Sequence, residues 1–302
     1  MKRPASIILL SLILISFAQG QAPTADMVRQ QIAGDVTKLK GPPATVGAVE
    51  NRQVPTGAHS VPIRIYRPET TGSANAGSLP IICHIHGGAW VAGDLDTHDN
   101  ICRRLCHDAG AVVVAVDYRR PPEHPYPATT DDAMAVLLWI QTNRSTLSQT
   151  GPLILLGDSA GGSFVASTCL RNADAAQPVP IAAQVLINPA LDVRPGSVTF
   201  KTYEMFVRWG LPDLTKANEP YVSPLVSTRL NKMPPTSIVV GQTDEIRADG
   251  VAMHQKLQAA GVQSTLFEQE KAGHLGPLWC ADHPSVKPAL TFVLQQIAAV
   301  KR

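Results

Sequence analysis

An α/β fold, with a mostly parallel central sheet and helices on both faces, is predicted by three features of the sequence. Strand-like and helix-like segments alternate along most of the chain, and that rhythm argues for parallel strands joined by helical crossovers. The run from Ala111 to Asp117 is almost all valine and alanine, as expected of a strand buried on both faces. The apolar run Leu153 to Leu156 enters Gly157-Asp158-Ser159-Ala160-Gly161-Gly162 and then a helical pattern from Ser163 to Arg171. This strand, tight turn and helix frame a Gly-x-Ser-x-Gly pattern in the context of a nucleophile elbow.

The first twenty residues stand apart from that fold. Met1-Lys2-Arg3 precede an apolar run from Ile7 to Phe17, and Ala18-Gln19-Gly20 place small residues at the −3 and −1 positions. This is the pattern of a secretory signal peptide over 1–20, which implies export to the periplasm or the medium. The run is too short to span a bilayer comfortably, and an uncleaved anchor is the alternative. No stable membrane span is expected after cleavage. Residues 21–302 suit a single α/β domain with a sizeable core.

The elements follow in order. Thr24 to Lys40 reads as an amphipathic helix ended by Gly41-Pro42-Pro43. Val61 to Tyr66 alternates as a strand, and Thr71 to Ser78 is a small-residue loop. Leu79 to His86 is a buried strand, Asp96 to Ala109 a helix, Ala111 to Asp117 a strand and Ala128 to Asn143 a helix. After the elbow, Ala182 to Ile187 and Thr236 to Val240 are strands, Arg247 to Ala260 a helix, Ser264 to Glu268 a strand and Pro288 to Val300 the last helix. Residues 197–222 break the rhythm with Phe200, Tyr203, Phe206, Trp209 and Tyr221. They are expected to form a small cap over a substrate site, an ordinary packed helix being the alternative, while the helix within 24–50 is expected either to cover the site or to pack on the side.

Composition excludes several roles. The formal net charge is +2 with Lys and Arg scattered, so neither nucleic acid nor an acidic membrane surface is an expected partner. Cys83, Cys102, Cys106, Cys169 and Cys280 form no disulfide scaffold; export permits a bridge without specifying its pairing. Cys102 and Cys106, with His98 and His107 nearby, lack a second pair of ligands at zinc spacing, and apolar helix positions explain them. No metal or cofactor is expected.

The chemistry grows from Ser159. A serine hydroxyl needs a base to take its proton, and a histidine base needs a carboxylate to fix its tautomer. In folds with this elbow the chain order is Ser, acid, His. Of the later histidines, His254 falls inside a helix and His283 precedes a proline. His274 follows the last strand between glycines and is the expected base. Asp244 lies just beyond a strand end and is the expected acid; a helix N-cap is its alternative role. Glu245 and Asp249 are less well placed. The strand ending at His86 runs into Gly87-Gly88-Ala89-Trp90. The N–H groups of Gly87 and Gly88, with that of Ala160, are the expected oxyanion hole. His86 and Asp158 are assigned supporting roles, holding the loop and the elbow.

These stretches resemble the hormone-sensitive-lipase-like esterases, also called family IV bacterial esterases, of the α/β-hydrolase fold. The resemblance is carried by His86-Gly87-Gly88-Ala89-Trp90, Asp117-Tyr118-Arg119, Pro122 to Ala128, Gly157 to Gly162, Tyr221 to Leu225, Asp244-Glu245-Ile246-Arg247 and Gly273-His274, in family order from about residue 60 onward. Ala89 replaces the family's usual third glycine, Arg120-Pro121 its Leu-Ala, and Leu275-Gly276 its Gly-Phe. The resemblance implies a carboxylester hydrolase with Ser159, Asp244 and His274 as triad. It also implies a preference for short or medium acyl chains and a cap built from the N-terminal helix and 197–222.

The expectation is thus a serine carboxylesterase acting on a small-molecule ester through an acyl-enzyme; a homodimer is compatible with the sequence. An amide-directed hydrolase of the same fold, such as an arylformamidase or peptidase, uses the same machinery. A non-catalytic ligand-binding module on this scaffold is the rival of a different class.

Overall fold

The computed structural model describes residues 23–39, 41–69, 76–274 and 286–300. Expectations about residues 1–20, Cys280, His283 and the Leu275-Gly276 pair therefore lie outside the described residues.

Helix α1 (Ala25–Leu39) leads into a hairpin of β1 (Ala48–Pro55) and β2 (Ser60–Arg67). Then come β3 (Ile81–Ile85), α2 (Asp99–Ala109), β4 (Val112–Val116), α3 (Ala128–Thr142) and β5 (Leu153–Asp158). After these follow α4 (Ala160–Ala173), β6 (Ala183–Ile187), α5 (Val198–Gly210), β7 (Thr236–Gly241), α6 (Arg247–Ala259), β8 (Ser264–Gln269) and α7 (Lys287–Val300). The strands form one eight-stranded sheet in the order β1-β2-β4-β3-β5-β6-β7-β8. The β1–β2 and β2–β4 pairs are antiparallel, and every pair from β4 to β8 is parallel.

Strand β1 is absent from the sequence reading, and residues 48–50, expected in a cap, are part of it. The reason is burial: among Ala48–Pro55 only Val54 is buried. An edge strand that covers little core carries no apolar alternation to find. The central strands behave as their composition predicts. Val112, Val114 and Val116 face one apolar cluster with Cys83, Leu155, Leu186 and Val240, packed under α3, α4 and α6. Val113 and Ala115 face a second cluster with Ile82, Ile154, Val185 and Val239, packed under α2 and α7. Successive side chains enter opposite cores because a strand alternates its Cβ directions.

Parallel pairing of β3, β5, β7 and β8 brings their carboxyl ends to one edge of the sheet, where ligands of open α/β sheets bind. The edge closes tightly around the elbow. A Cβ on Gly161 would lie 2.1 Å from the carbonyl oxygen of Ile85, and one on Gly157 would lie 2.4 Å from that of Gly161. Glycine at both positions lets the start of α4 press onto the end of β3 and the end of β5. Gly161→Ala is accordingly expected to lower stability by about 2–3 kcal/mol. A Cβ on Gly34, inside α1, meets nothing within 4 Å, so Gly34→Ala is expected to raise stability by roughly 0.5–1 kcal/mol. Urea-unfolding midpoints of the two variants measure both effects.

Candidate active site

Ser159 lies between β5 and α4 with φ 52° and ψ −122°, an uncommon conformation for a residue with a side chain. Neighbouring backbone holds it there. Its N–H donates to the carbonyl of Ile187 at 2.8 Å, and its own carbonyl accepts from Gly162 at 3.0 Å and from Ala190 at 3.3 Å. Its hydroxyl is 2.9 Å from Nε2 of His274. His274 Nδ1–H donates to Oδ2 of Asp244 at 3.0 Å. The structure therefore brings together the three residues that the sequence predicted from separate strand ends.

Local packing explains why His274 arrives there. A Cβ on Gly241, at the end of β7, would lie 2.0 Å from the carbonyl of Gly273. The absent side chain lets the segment before His274 cross the strand end. Thr243 then pins that segment, donating its N–H and its hydroxyl to the carbonyl of Ala272, each at 2.9 Å.

Asp244 is buried and does not cap helix α6, whose N-cap position is Ile246 and has no side-chain capping bond. Its Oδ1 accepts the N–H of Ile246 at 3.1 Å, and its Oδ2 also accepts the side-chain amide of Asn188. Burial alone would raise its pKa. The charge and N–H of His274, with the Ile246 and Asn188 donors, outweigh burial and hold it below the usual carboxylate value. For His274 burial opposes protonation, but the charge and hydrogen bond of Asp244, then Glu245 and Asp158, raise its pKa above 6.5. Of the alternatives, Glu245 is exposed. Asp249 accepts from Leu191 N, Asp192 N and Thr199 Oγ1 at 2.8, 3.0 and 2.7 Å, tying the loop after β6 and the first turn of α5 to α6. His254 Nδ1 is 2.9 Å from Ser264 Oγ, out on α6.

One expectation is corrected. The N–H of Gly87 does not face a substrate: it donates to Oδ1 of Asp158 at 3.2 Å. A Cβ on Gly87 would sit 2.5 Å from Oδ2 of the same carboxylate and 3.1 Å from Ser159 Cβ. Gly87 thus lies against the elbow, and the loop turns outward only after it. Gly88, Ala89 and Trp90 all have positive φ, 132°, 50° and 68°. Among the described residues, no acceptor takes the N–H of Gly88, Ala89 or Ala160. Ala89 offers a further N–H that the sequence reading does not include. The signal was its place in the loop rather than its residue type.

His86 and Asp158, assigned supporting roles from the sequence, both contact this loop. His86 Nδ1–H donates to the carbonyl of Gly87 at 2.8 Å, and the Tyr118 hydroxyl donates to the carbonyl of His86 at 2.8 Å while its ring stacks on the imidazole at 4.2 Å. His84 and His98 flank Asp158, each with Nε2 3.8 Å from Oδ1. Burial pushes His84 down to about 4 and His86 well below 6.5. Both are therefore neutral near pH 7 and make poor bases there. Cys83, Cys102, Cys106 and Cys169 are buried free thiols. His98 is turned toward Asp158, and His107 lies beside Asp108.

One helical turn beyond Ser159, a cavity of about 50 Å³ is lined largely by apolar side chains, including Trp90, Phe164, Val207, Leu211 and Tyr221. Helix α5 kinks at Tyr203, whose buried ring centroid lies 6.1 Å from that of Trp90 and 6.3 Å from that of His274. From α1, Arg29 donates to Val91 O at 2.9 Å, Pro121 O at 3.0 Å and both Glu123 oxygens at 2.9 and 2.6 Å. Its hydrogen bonds hold the Glu123 carboxyl down to about 2. Among the described residues no helix is long and apolar enough to cross a membrane.

A family model described as the alpha/beta hydrolase fold matches residues 82–276. Esterase LipI of Mycobacterium tuberculosis is 36% identical over 224 residues, covering 70% of this chain and 69% of LipI. Ethyl acetate hydrolase of Pseudomonas putida is 31% identical over 253 residues, covering 79% of this chain and 78% of its own. The solved structure of a hyperthermophilic esterase from the archaeon Pyrobaculum calidifontis superposes with a TM-score of 0.84 at 27% identity, over 99% of this chain and 100% of that one. With a family model matching well over half of its length and a relative 36% identical over two thirds of both chains, the chain belongs to the α/β-hydrolase fold family.

Proposed function

We propose that the protein is a serine carboxylesterase in which Ser159 is the nucleophile, His274 the general base and acid, and Asp244 the carboxylate that orients His274 and stabilises its protonated form. The continuous chain of hydrogen bonds from Ser159 Oγ through His274 to Asp244 carries this reading. His274 Nε2 accepts the Ser159 proton as the oxygen attacks the ester carbonyl. The carbonyl oxygen takes up negative charge, and the N–H groups of Gly88, Ala89 and Ala160 are the donors free to receive it. His274 then protonates the leaving alcohol, and water repeats the sequence on the acyl-enzyme. The curated relatives named as ester hydrolases support the class of reaction.

The largely apolar cavity lined by Ser163 and Phe164 of α4, with Trp90 and Leu211, is the candidate acyl subsite, and esters of short or medium acyl chains are the proposed substrates. Helix α1 and the segment 197–222 cover this side of the sheet edge, through Arg29 and through Tyr203, Val207 and Leu211, which supports their role as a cap. Residues 1–20 direct export in this reading.

Hydrolysis of p-nitrophenyl acetate and butyrate tests the assignment. Ser159→Ala is expected to lower kcat by about 10⁴-fold or more; turnover equal to the unaltered enzyme would overturn it. A matching panel of formamides and aminoacyl amides is expected to be turned over far more slowly than the esters, and the reverse ranking would favour amidase chemistry. The pH profile has a definite sign. Activity requires neutral His274, whose pKa in the fold lies above 6.5. Therefore kcat/KM falls as pH drops through that raised value. Asp244→Asn removes the charge that raises it and is expected to move the acid limb to lower pH, with kcat reduced by about 10⁴-fold.

A further inference from the structure

We propose that Asn188 is a positioning residue for Asp244, holding its carboxylate in register with His274 by donating its side-chain amide to the oxygen that His274 shares. The inference rests on the catalytic reading above. No sequence motif singled out Asn188. It follows the last residue of β6, in a segment the chemistry otherwise leaves unused.

The geometry makes that segment a brace for both ends of the triad. Ile187 accepts the N–H of Ser159 at 2.8 Å, and Ala190 donates to the Ser159 carbonyl at 3.3 Å. Between them, Asn188 donates its own N–H to Val239 on β7 at 2.7 Å and its side-chain amide to Oδ2 of Asp244. One short stretch of chain therefore fixes the nucleophile through its backbone and the acid through a side chain. Asn188 is buried, at 1% exposure, and has φ 43°. This left-handed conformation is one that asparagine tolerates better than most residues with a side chain. The backbone turn aims the amide at Asp244, and losing one partner of a buried hydrogen bond leaves the other group at the cost of its desolvation.

Asp244 Oδ2 receives two donors, His274 Nδ1–H and the Asn188 amide, while Oδ1 receives Ile246 N–H. Removing the Asn188 donor has two consequences. The carboxylate gains freedom to rotate away from His274, which weakens the orientation of the base. Its charge is also less neutralised by the protein, so the carboxylate favours the imidazolium more strongly. The groups that act on His274 are Asp244 and Glu245 beyond β7, Asp158 at the elbow, and the Tyr203 phenol of α5 packed beside the ring. Asn188 acts through the first of these, and because the Ile246 N–H and the His274 N–H still hold the carboxylate near the ring, the gain in its charge sets the sign of the pKa change.

The test uses the full enzyme with p-nitrophenyl butyrate. Asn188→Gly suits the positive φ and removes the donor, and Asn188→Ala serves as a second variant; thermal melting confirms that each is folded. Expected are a roughly 10- to 100-fold fall in kcat, a KM within about two-fold of the unaltered enzyme, and an acid limb of kcat/KM moved up by about half to one pH unit. A fall in kcat with the limb unmoved would mark Asn188 as merely structural and overturn the proposal, as would unaltered kinetics. Activity retained in Ser159→Ala would overturn the catalytic reading itself and this proposal with it. Loss in Ser159→Ala with unaltered Asn188 variants overturns the proposal alone.

Discussion

The site depends on how closely the first turn of α4 approaches the end of β3. Gly161 packs where any Cβ would meet the Ile85 carbonyl at 2.1 Å, and Gly157 where one would meet the Gly161 carbonyl at 2.4 Å. That contact forces the chain to reverse within one residue. Ser159 occupies the reversal, with φ 52°. Its side chain is lifted out of the sheet toward His274, and its backbone is tied to β6 through Ile187 and Ala190. The same approach presses Gly87 onto the Asp158 carboxylate. The glycine loop is therefore positioned by the elbow, and the donors available beyond it follow from one packing constraint.

Buried carboxylates serve different ends because their partners differ. Asp244 meets an imidazole, an amide and a backbone N–H, and stays well ionised next to the base. Asp158 meets the Gly87 N–H, with two imidazoles 3.8 Å away, and holds loop to elbow. Asp249 gathers two backbone N–H groups and the Thr199 hydroxyl, and burial pushes its pKa up to about 6. Each carboxylate ties a different strand-end loop to the frame, and of the three only Asp244 is hydrogen-bonded to His274.

Much of the fold was legible because the central strands are apolar on both faces and the helices between them are well punctuated. Strands β2 to β8 lie close to where the pattern placed them. Strand β1 was not legible, since Val54 alone among its residues is buried and nothing alternates. The site was legible where residue type dictates role. A serine in the elbow, a histidine between glycines after the last strand and an aspartate at a strand end left few assignments. At Gly87 residue type does not dictate role: glycine there serves close packing against Asp158, and its N–H is donated to that carboxylate.

By itself, therefore, the sequence determined the α/β architecture, the order of the reactive groups along the chain and the chemistry open to them. These depend on apolar periodicity and on side-chain type, both of which are local. Tertiary structure alone decided which N–H groups remain free at the loop among the described residues, that Asn188 reaches Asp244, that Arg29 ties α1 to Val91 and Glu123, and that Trp90, Phe164 and Leu211 line one cavity. Each of those joins residues far apart in the chain. Their meeting is set by the register of the sheet and the closeness of helix to strand, which no local pattern encodes.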